Sequence, residues 1–276
     1  MIYLDYSANT PADERVLARF CAVERRCPGN ANSHHQAGLD AKAEIDHATQ
    51  TIARLLRVQP AEIIYTSGAS ESNNFALKGL ARLSRHVGKH IISTPLEHSS
   101  VSGTLTALQE QGYEIDLVDI KRDGTIDLDH LKELLRPDTI AVAVTMVDSE
   151  LGVVQPVQEI AEILKDHPHC HLHVDATQAV GKIPVSFEGV DTMSLTAHKF
   201  YGLNGSSTAE RAPPSTAAAP RRWLWPPRWR WHWSWPWSSC RSTPRPSKRP
   251  MHSSAPSWPS IPRSASTARR TPFPTS

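Results

Sequence analysis

His171-Leu-His-Val-Asp-Ala-Thr-Gln178 and Met193-Ser-Leu-Thr-Ala-His-Lys-Phe-Tyr-Gly202 share one design: a short run fit for a buried strand, then small and polar residues that stop it. Working outward, the same unit recurs. Ile63-Ile64-Tyr65 ends in Thr66-Ser67-Gly68, and Ala69–Leu83 then returns to helical spacing. His90–Ser93 is a second strand, followed by a helix from about Ser99 to Gln111. Tyr113–Val118 and Thr139–Val147 read as strands, with Leu128–Leu135 and Val157–Lys165 as intervening helices. Ala41–Arg57 places Ile45, Ala48, Ile52, Leu55 and Leu56 on one helical face. Strands alternating with helices predict an α/β fold, a three-layer α/β/α sandwich with a mostly parallel sheet. Right-handed crossovers then put ligands at the carboxyl ends of the strands.

That pattern stops near residue 204. Residues 1–203 hold 27 of the 28 acidic residues and 18 of the 30 basic ones, a net charge of −9. The remaining 73 residues of the 276 carry one acid, Glu210, and 12 bases, a net of +11, so the chain-wide value of +2 describes neither part. All eight tryptophans lie between Trp223 and Trp258, and 14 of the 22 prolines follow residue 203. Prolines at 226, 227 and 236 interrupt the aromatic alternation there. With almost nothing apolar to bury, the segment cannot offset an ordering cost of about 1–2 kcal/mol per residue, and disorder is expected. The division expected is a domain over 1–205 and a Trp/Pro/Arg/Ser-rich tail over 206–276. So abrupt a switch points to a frameshift or a false splice. No stretch approaches the roughly 20 apolar residues of a membrane span, and the N-terminus lacks the regions of a signal peptide. Cysteines at 21, 27, 170 and 240 form neither a disulfide framework nor paired zinc spacing, so a cytoplasmic setting is expected.

Four elements carry candidate chemistry. Lys199 follows a histidine at the carboxyl end of a strand, where desolvation would free its amine for a Schiff base with an aldehyde. Asp175 ends another strand, where a carboxylate could keep a pyridinium nitrogen protonated. Thr66-Ser-Gly-Ala-Ser-Glu-Ser72 leads from strand into helix, an arrangement suited to a phosphate. Glu97-His98 lies just past a strand, where a ring could stack on a planar cofactor. Taken singly, each has a plain structural reading: a surface lysine, a helix cap, an ordinary N-terminal turn and a structural histidine. His169, His171 and His173 would share a strand face with Cys170 opposite, which invites zinc or copper. Their place at the entry to the His173-Val-Asp175 strand argues instead for no metal. Arginines interleaved with tryptophans in the tail could contact nucleic acid, but an accidental tail needs no such role.

Together with Tyr3-Leu-Asp-Tyr-Ser-Ala-Asn-Thr-Pro11 and Gly29-Asn30, these motifs resemble the cysteine desulfurases, class V aminotransferase-type enzymes that use pyridoxal 5'-phosphate. The resemblance runs from residue 2 to about 205, with the motifs in family order. It implies that Lys199 binds the cofactor covalently and that His98 stacks on the ring and assists proton transfer. Asp175 would pair with the pyridinium nitrogen, and Gln178 would bond the ring hydroxyl. The Ala69 backbone, Ser70, Thr196 and His198 would hold the phosphate. The substrate implied is L-cysteine, which gives alanine and an enzyme persulfide for iron–sulfur cluster assembly or tRNA thiolation. A homodimer and a sulfur-accepting or scaffold protein are the implied partners.

The sequence departs from that pattern twice. In Val147-Asp-Ser-Glu-Leu-Gly152, Ser149 stands where the family often has an asparagine near the ring hydroxyl; a serine still offers one hydrogen bond. After Gly205 neither the small C-terminal domain nor its sulfur-accepting cysteine is recognisable, and Cys240 lies in the tail. The expectation is a truncated or frameshifted cysteine desulfurase-like protein, with a catalytically inactive cofactor-binding fragment as the alternative.

Overall fold

The computed structural model describes residues 2–204 and the backbone of 207–211. Seven strands make one sheet: β1 (Ile63–Thr66), β2 (His90–Ser93), β3 (Glu114–Leu117), β4 (Thr139–Thr145), β5 (His171–Asp175), β6 (Thr192–Thr196) and β7 (Ser207–Arg211). Their order is β1-β7-β6-β5-β4-β2-β3. β7 is antiparallel to both neighbours, and every other adjacent pair is parallel. The helices are α1 (Glu14–Arg26), α2 (Gln36–Leu56), α3 (Ala69–Leu83), α4 (Ser99–Gln109), α5 (Leu128–Leu134) and α6 (Val157–Leu164).

Every residue of β2 and β4 is buried, as expected of parallel strands covered on both faces. Alternate side chains serve opposite layers. Ile91 and Ala143 pack with Leu77 and Ala81 of α3 and Val101 and Leu105 of α4. Ile92, Val142, Val144 and Leu172 pack with Leu131 of α5 and Ile160 and Leu164 of α6. The three-layer arrangement read from the sequence is therefore present. A register shift between His90 and Ile91 against β4 pairs His90 with Thr139 and Ile91 with Ala141. This irregularity explains why Ile140 and Ala141 both join the α3/α4 layer.

Two elements differ from expectation. α1 has no buried residue, although Val16, Leu17, Phe20 and Val23 recur at helical spacing; Asp13 caps its start by accepting from Arg15 N. Arg19 and Arg26 of α1 both pair with Glu44 of α2, surface contacts of small energetic weight. β7 lies within the stretch where disorder is expected from about residue 204. Ser207–Arg211 enters the sheet between β1 and β6, where the ladders on both sides satisfy its backbone. Composition predicted disorder from poor side-chain burial, but pairing on two sides does not depend on it. The remainder of the tail, with its tryptophans and Cys240, lies outside the described residues. Among the described residues, no helix is long and apolar enough to cross a membrane.

The central strand β5 sets a stability test. Leu172 is 1% exposed, so Leu172→Ala should cost about 2–5 kcal/mol in urea unfolding without changing the slope of the transition. A loss below about 1 kcal/mol would contradict the packing described.

Candidate active site

Parallel pairing of β6, β5 and β4, with β1 aligned to them through the antiparallel β7, brings four carboxyl ends to one edge. Thr66 and Thr196 both pair with Ser207, and Asp175 lies opposite both Ser194 and Thr145. Two strand spacings therefore separate Thr66 from Thr196, about 10 Å. The turns leaving these strands carry most of the candidate residues.

Lys199 ends a 3-10 turn, Ala197–Lys199, directly after β6. The chain then folds back so tightly that Gly202 N donates to Ala197 O at 2.8 Å. A Cβ at Gly202 would lie 2.4 Å from the Ala197 Cβ, so only glycine fits. Tyr201 between them adopts φ 65, a left-handed conformation that a non-glycine residue holds only when its surroundings require it. The N-terminal arm supplies that requirement. Thr10 donates through N (2.9 Å) and Oγ1 (2.8 Å) to the His198 carbonyl, and its Oγ1 accepts from Tyr201 N at 2.6 Å.

The same arm meets the amine. Lys199 Nζ donates to the carbonyls of Ser7 (2.6 Å) and Ala8 (2.9 Å). Partial burial lowers the pKa of the Lys199 amine, opposed by the Asp5 and Asp175 carboxylates. Gln178 Nε2 donates to the same Ser7 carbonyl at 2.9 Å, and its Oε1 accepts from Lys182 at 2.5 Å. Burial, and then the Lys199 charge, lower the pKa of Lys182 in turn.

Asp175, the last residue of β5, is 4% exposed. Its Oδ2 accepts from Asn73 Nδ2 at 2.7 Å and its Oδ1 from Thr177 N at 3.0 Å. Beside it, the buried Thr177 hydroxyl has no partner. His98 caps α4: its Nδ1 accepts from Ser100 N at 3.1 Å, leaving the rest of the ring exposed. Thr196 Oγ1 lies 3.0 Å from His198 Nδ1. Burial and the Lys199 charge lower the His198 pKa.

α3 starts at Ala69 after Gly68 with no side-chain cap, so its first N–H groups have no intrahelical partner. Ser70 is exposed at this end. Glu71 turns back to accept from both N and Oγ of Ser67, at 2.6 and 2.7 Å. The structure thus joins Lys199 to Gln178 through the arm, Asp175 to α3, and Thr196 to His198, all along one edge of the sheet. Ser149 is exposed on the turn after β4 and, like Ser70, shares no hydrogen bond with the other candidate residues among the described residues. Two imidazoles of the 167–173 segment have partners of their own. His173 is buried between Thr192 and Asn73, and His171 faces Asp191.

Glu97 sits behind His98. Its stem is half-exposed, lining a cavity of about 470 Å³ with Thr94, Leu105, Thr106, Ile115 and Leu117, but its carboxyl head is buried. Lys199, Asp175 and His98 do not line that cavity. Oε1 accepts from Thr94 Oγ1 (2.8 Å) and Thr145 N (2.7 Å), and Oε2 has no partner, which leaves it the oxygen to carry a proton. Burial first, and then the charges of Asp175 and Asp148, push this acid up to about 8 against its two hydrogen bonds.

The aminotransferase class-V family model matches residues 2–209. The chain belongs to the class V aminotransferase family. Enzymes of this family depend on pyridoxal phosphate. The chain is 41% identical over 207 residues to the cysteine desulfurase IscS of Neisseria meningitidis serogroup C, covering 74% of this chain and 51% of that protein. It is equally similar to the mitochondrial cysteine desulfurase of Arabidopsis thaliana, at 41% over 207 residues, 74% of this chain and 46% of that protein. A solved NifS-like protein superposes with a TM-score of 0.74 at 36% identity, over 76% of this chain and 58% of the other. A structure described as SspA in complex with cysteine gives 0.72 at 33%, over 76% and 61%. The chain spans about half the length of the curated relatives it matches.

Asn73, Ser100, Thr177 and the arm carbonyls were not singled out by sequence. Asn73 left one trace. It opens the core stripe of α3, in line with Ala76, Leu77 and Leu80, as a polar residue at an apolar position.

The Glu97 acid yields a pH test. A folded-state value near 8, above the ordinary 4.5, means that the folded chain holds this proton more tightly than the unfolded one. The resulting stability is fully present below about pH 4.5 and is lost as pH rises through about 8. Relative to Glu97→Gln, the wild type should lose up to about 1.4 kcal/mol per pH unit across that window in urea unfolding. A pH-independent difference between the two proteins would contradict the buried acid.

Proposed function

We propose that this chain binds pyridoxal phosphate through Lys199 and carries the cofactor chemistry of a cysteine desulfurase on L-cysteine. One observation carries the reading. Adjacent parallel strands deliver Lys199 and Asp175 to the same sheet edge, close enough that the carboxylate opposes the effect of burial on the amine. The residues present fit a phosphorylated pyridine aldehyde. An amine with a lowered pKa suits the aldehyde, a buried carboxylate suits a ring N–H, and an uncapped helix start suits the phosphate.

Lys199 would hold the cofactor through Nζ, Asp175 would keep the ring nitrogen protonated, and His98 would cover the ring face. Gln178 and Ser149 would bond the ring hydroxyl, and the Ala69 N–H, Ser70, Thr196 and His198 would bind the phosphate. Bound pyridoxal phosphate supplies an electron sink for bonds at the α-carbon of an amino acid. Around it, Lys199 Nζ and His98 Nε2 are the groups placed to hold and move protons. The arm carbonyls of Ser7 and Ala8 must release the amine as the cofactor enters.

L-cysteine as substrate is supported by the named desulfurase relatives and by the neighbour solved with cysteine. Delivery of sulfur to iron–sulfur cluster assembly or tRNA thiolation, and a homodimer, complete the reading. The remaining requirement is a sulfur acceptor. Burial pushes the Cys170 thiol up to about 12, so it is no thiolate near neutral pH. Of the other described cysteines, Cys21 lies within α1 and Cys27 at its end; Cys240 lies outside the described residues. This favours, as a second reading, a chain that binds cofactor and substrate without completing sulfur transfer.

Borohydride treatment of the protein with pyridoxal phosphate should fix one cofactor on the peptide containing Lys199, read by mass spectrometry, and none in Lys199→Ala. Fixation at another lysine would overturn the assignment. Alanine formed from L-cysteine by the same preparation separates turnover from binding alone.

A further inference from the structure

Asp175 and His98 lie on different elements, yet one buried chain of hydrogen bonds joins them. Asn73 Nδ2 donates to Asp175 Oδ2 at 2.7 Å and to Ser100 Oγ at 2.9 Å. Ser100 Oγ stands 2.8 Å from His98 Nδ1. On the far side, Asn73 Oδ1 lies 3.1 Å from His173 Nε2, and His173 Nδ1 lies 2.8 Å from Thr192 Oγ1. Asn73 and His173 are 0% exposed, and Ser100 is 9% exposed.

The direction of each bond follows from chemistry. A backbone N–H can only donate, so His98 Nδ1, which accepts from Ser100 N at 3.1 Å, offers its lone pair. A neutral His98 therefore carries its hydrogen on Nε2, on the exposed side of the ring. The Asn73 amide cannot be reversed, because its oxygen would then face a carboxylate and leave His173 without an acceptor. With both amide hydrogens committed, Ser100 Oγ is an acceptor toward Asn73, so its own hydrogen points at His98 Nδ1. Complete burial holds His173 well below the usual histidine range, so it stays neutral and has one N–H to give, to Asn73 Oδ1.

We propose that Asn73 is a positioning residue that sets two groups of the site at once: it holds the Asp175 carboxylate and, through Ser100, orients His98 with Nε2 as its proton-carrying nitrogen. This rests on the reading that Asp175 and His98 serve one cofactor. Asn73 itself is buried beneath both and touches neither solvent nor substrate. The economy is geometric: a single amide at the start of α3 couples β5 to the cap of α4, so the carboxylate and the ring cannot shift independently.

The test uses the full chain labelled with ¹⁵N-histidine, the His98 signal being assigned by its loss in His98→Gln. Without cofactor at pH 8, the His98 nitrogen shifts should report the Nε2–H tautomer with Nδ1 as a hydrogen-bonded acceptor. Asn73→Leu keeps the size and removes the amide. It should move the His98 Nδ1 resonance and weaken pyridoxal phosphate binding about 10- to 100-fold, the effect of losing one hydrogen bond to a charged group. Ser100→Ala should move the same resonance with a smaller change in affinity, because the Asn73–Asp175 bond remains. If Asn73→Leu does not fold, Ser100→Ala carries the test. An unmoved His98 resonance in Ser100→Ala overturns the proposal. So does an Asn73→Leu protein that is merely less stable, with unchanged affinity. Wild-type protein that takes no cofactor on Lys199 would instead refute the proposed function, while the cofactor-free histidine signals still decide whether Asn73 orients His98.

Discussion

A carboxylate taken out of water must be met by fixed donors, and Asp175 at 4% exposure is the place where this chain meets that demand. The donors are a backbone N–H from the turn that follows β5 and a side-chain amide from α3, 102 residues earlier in the chain. Neither would be in place without the layer beneath them. Leu77 and Ala81 seat α3 on Ile91 and Ala143 of the sheet, which fixes the depth and rotation at which Asn73 presents its amide. Packing and electrostatics are therefore one problem at this point: the helix that completes a core layer also neutralises the cost of burying a charge.

The lysine turn solves a different problem. It must hold a long, flexible cation in place at a surface without sealing it. Gly202 allows the chain to double back against Ala197, and Tyr201 accepts an unfavourable backbone conformation to do so. Thr10, more than 180 residues away, secures both ends of that loop with three hydrogen bonds. The arm is thus a working part of the site, and its carbonyls at Ser7 and Ala8 give the Lys199 amine partners it can exchange for others. Partial burial also lowers the pKa of the amine, which suits a lysine that reacts with an aldehyde.

Much of this was legible in advance. Buried parallel strands write themselves as short runs rich in apolar residues, so β2, β4 and β5 were legible there, and the bounds of α3 were read to the residue. The ends of β5 and β6 pointed to Asp175 and Lys199 because the carboxyl edge of such a sheet is where turns open. Most of what escaped lacks a local signature. β7 is polar, and its place in the sheet comes from pairing on both sides. α1 is the exception: Val16, Leu17, Phe20 and Val23 recur at helical spacing, but the structure buries none of them. The Asn73 bonds span 27, 100 and 102 residues, distances over which no periodicity in one sequence carries information. Ser149, on an exposed turn after β4, rests on the motif alone.

The central claim is that Asp175 and Lys199 address opposite parts of one pyridine ring. The most direct measurement is the ¹⁵N chemical shift of the ring nitrogen in labelled pyridoxal phosphate bound to the protein. A protonated ring nitrogen in the wild type that becomes unprotonated in Asp175→Asn is the result predicted. A ring nitrogen whose shift is the same in both proteins would contradict the account.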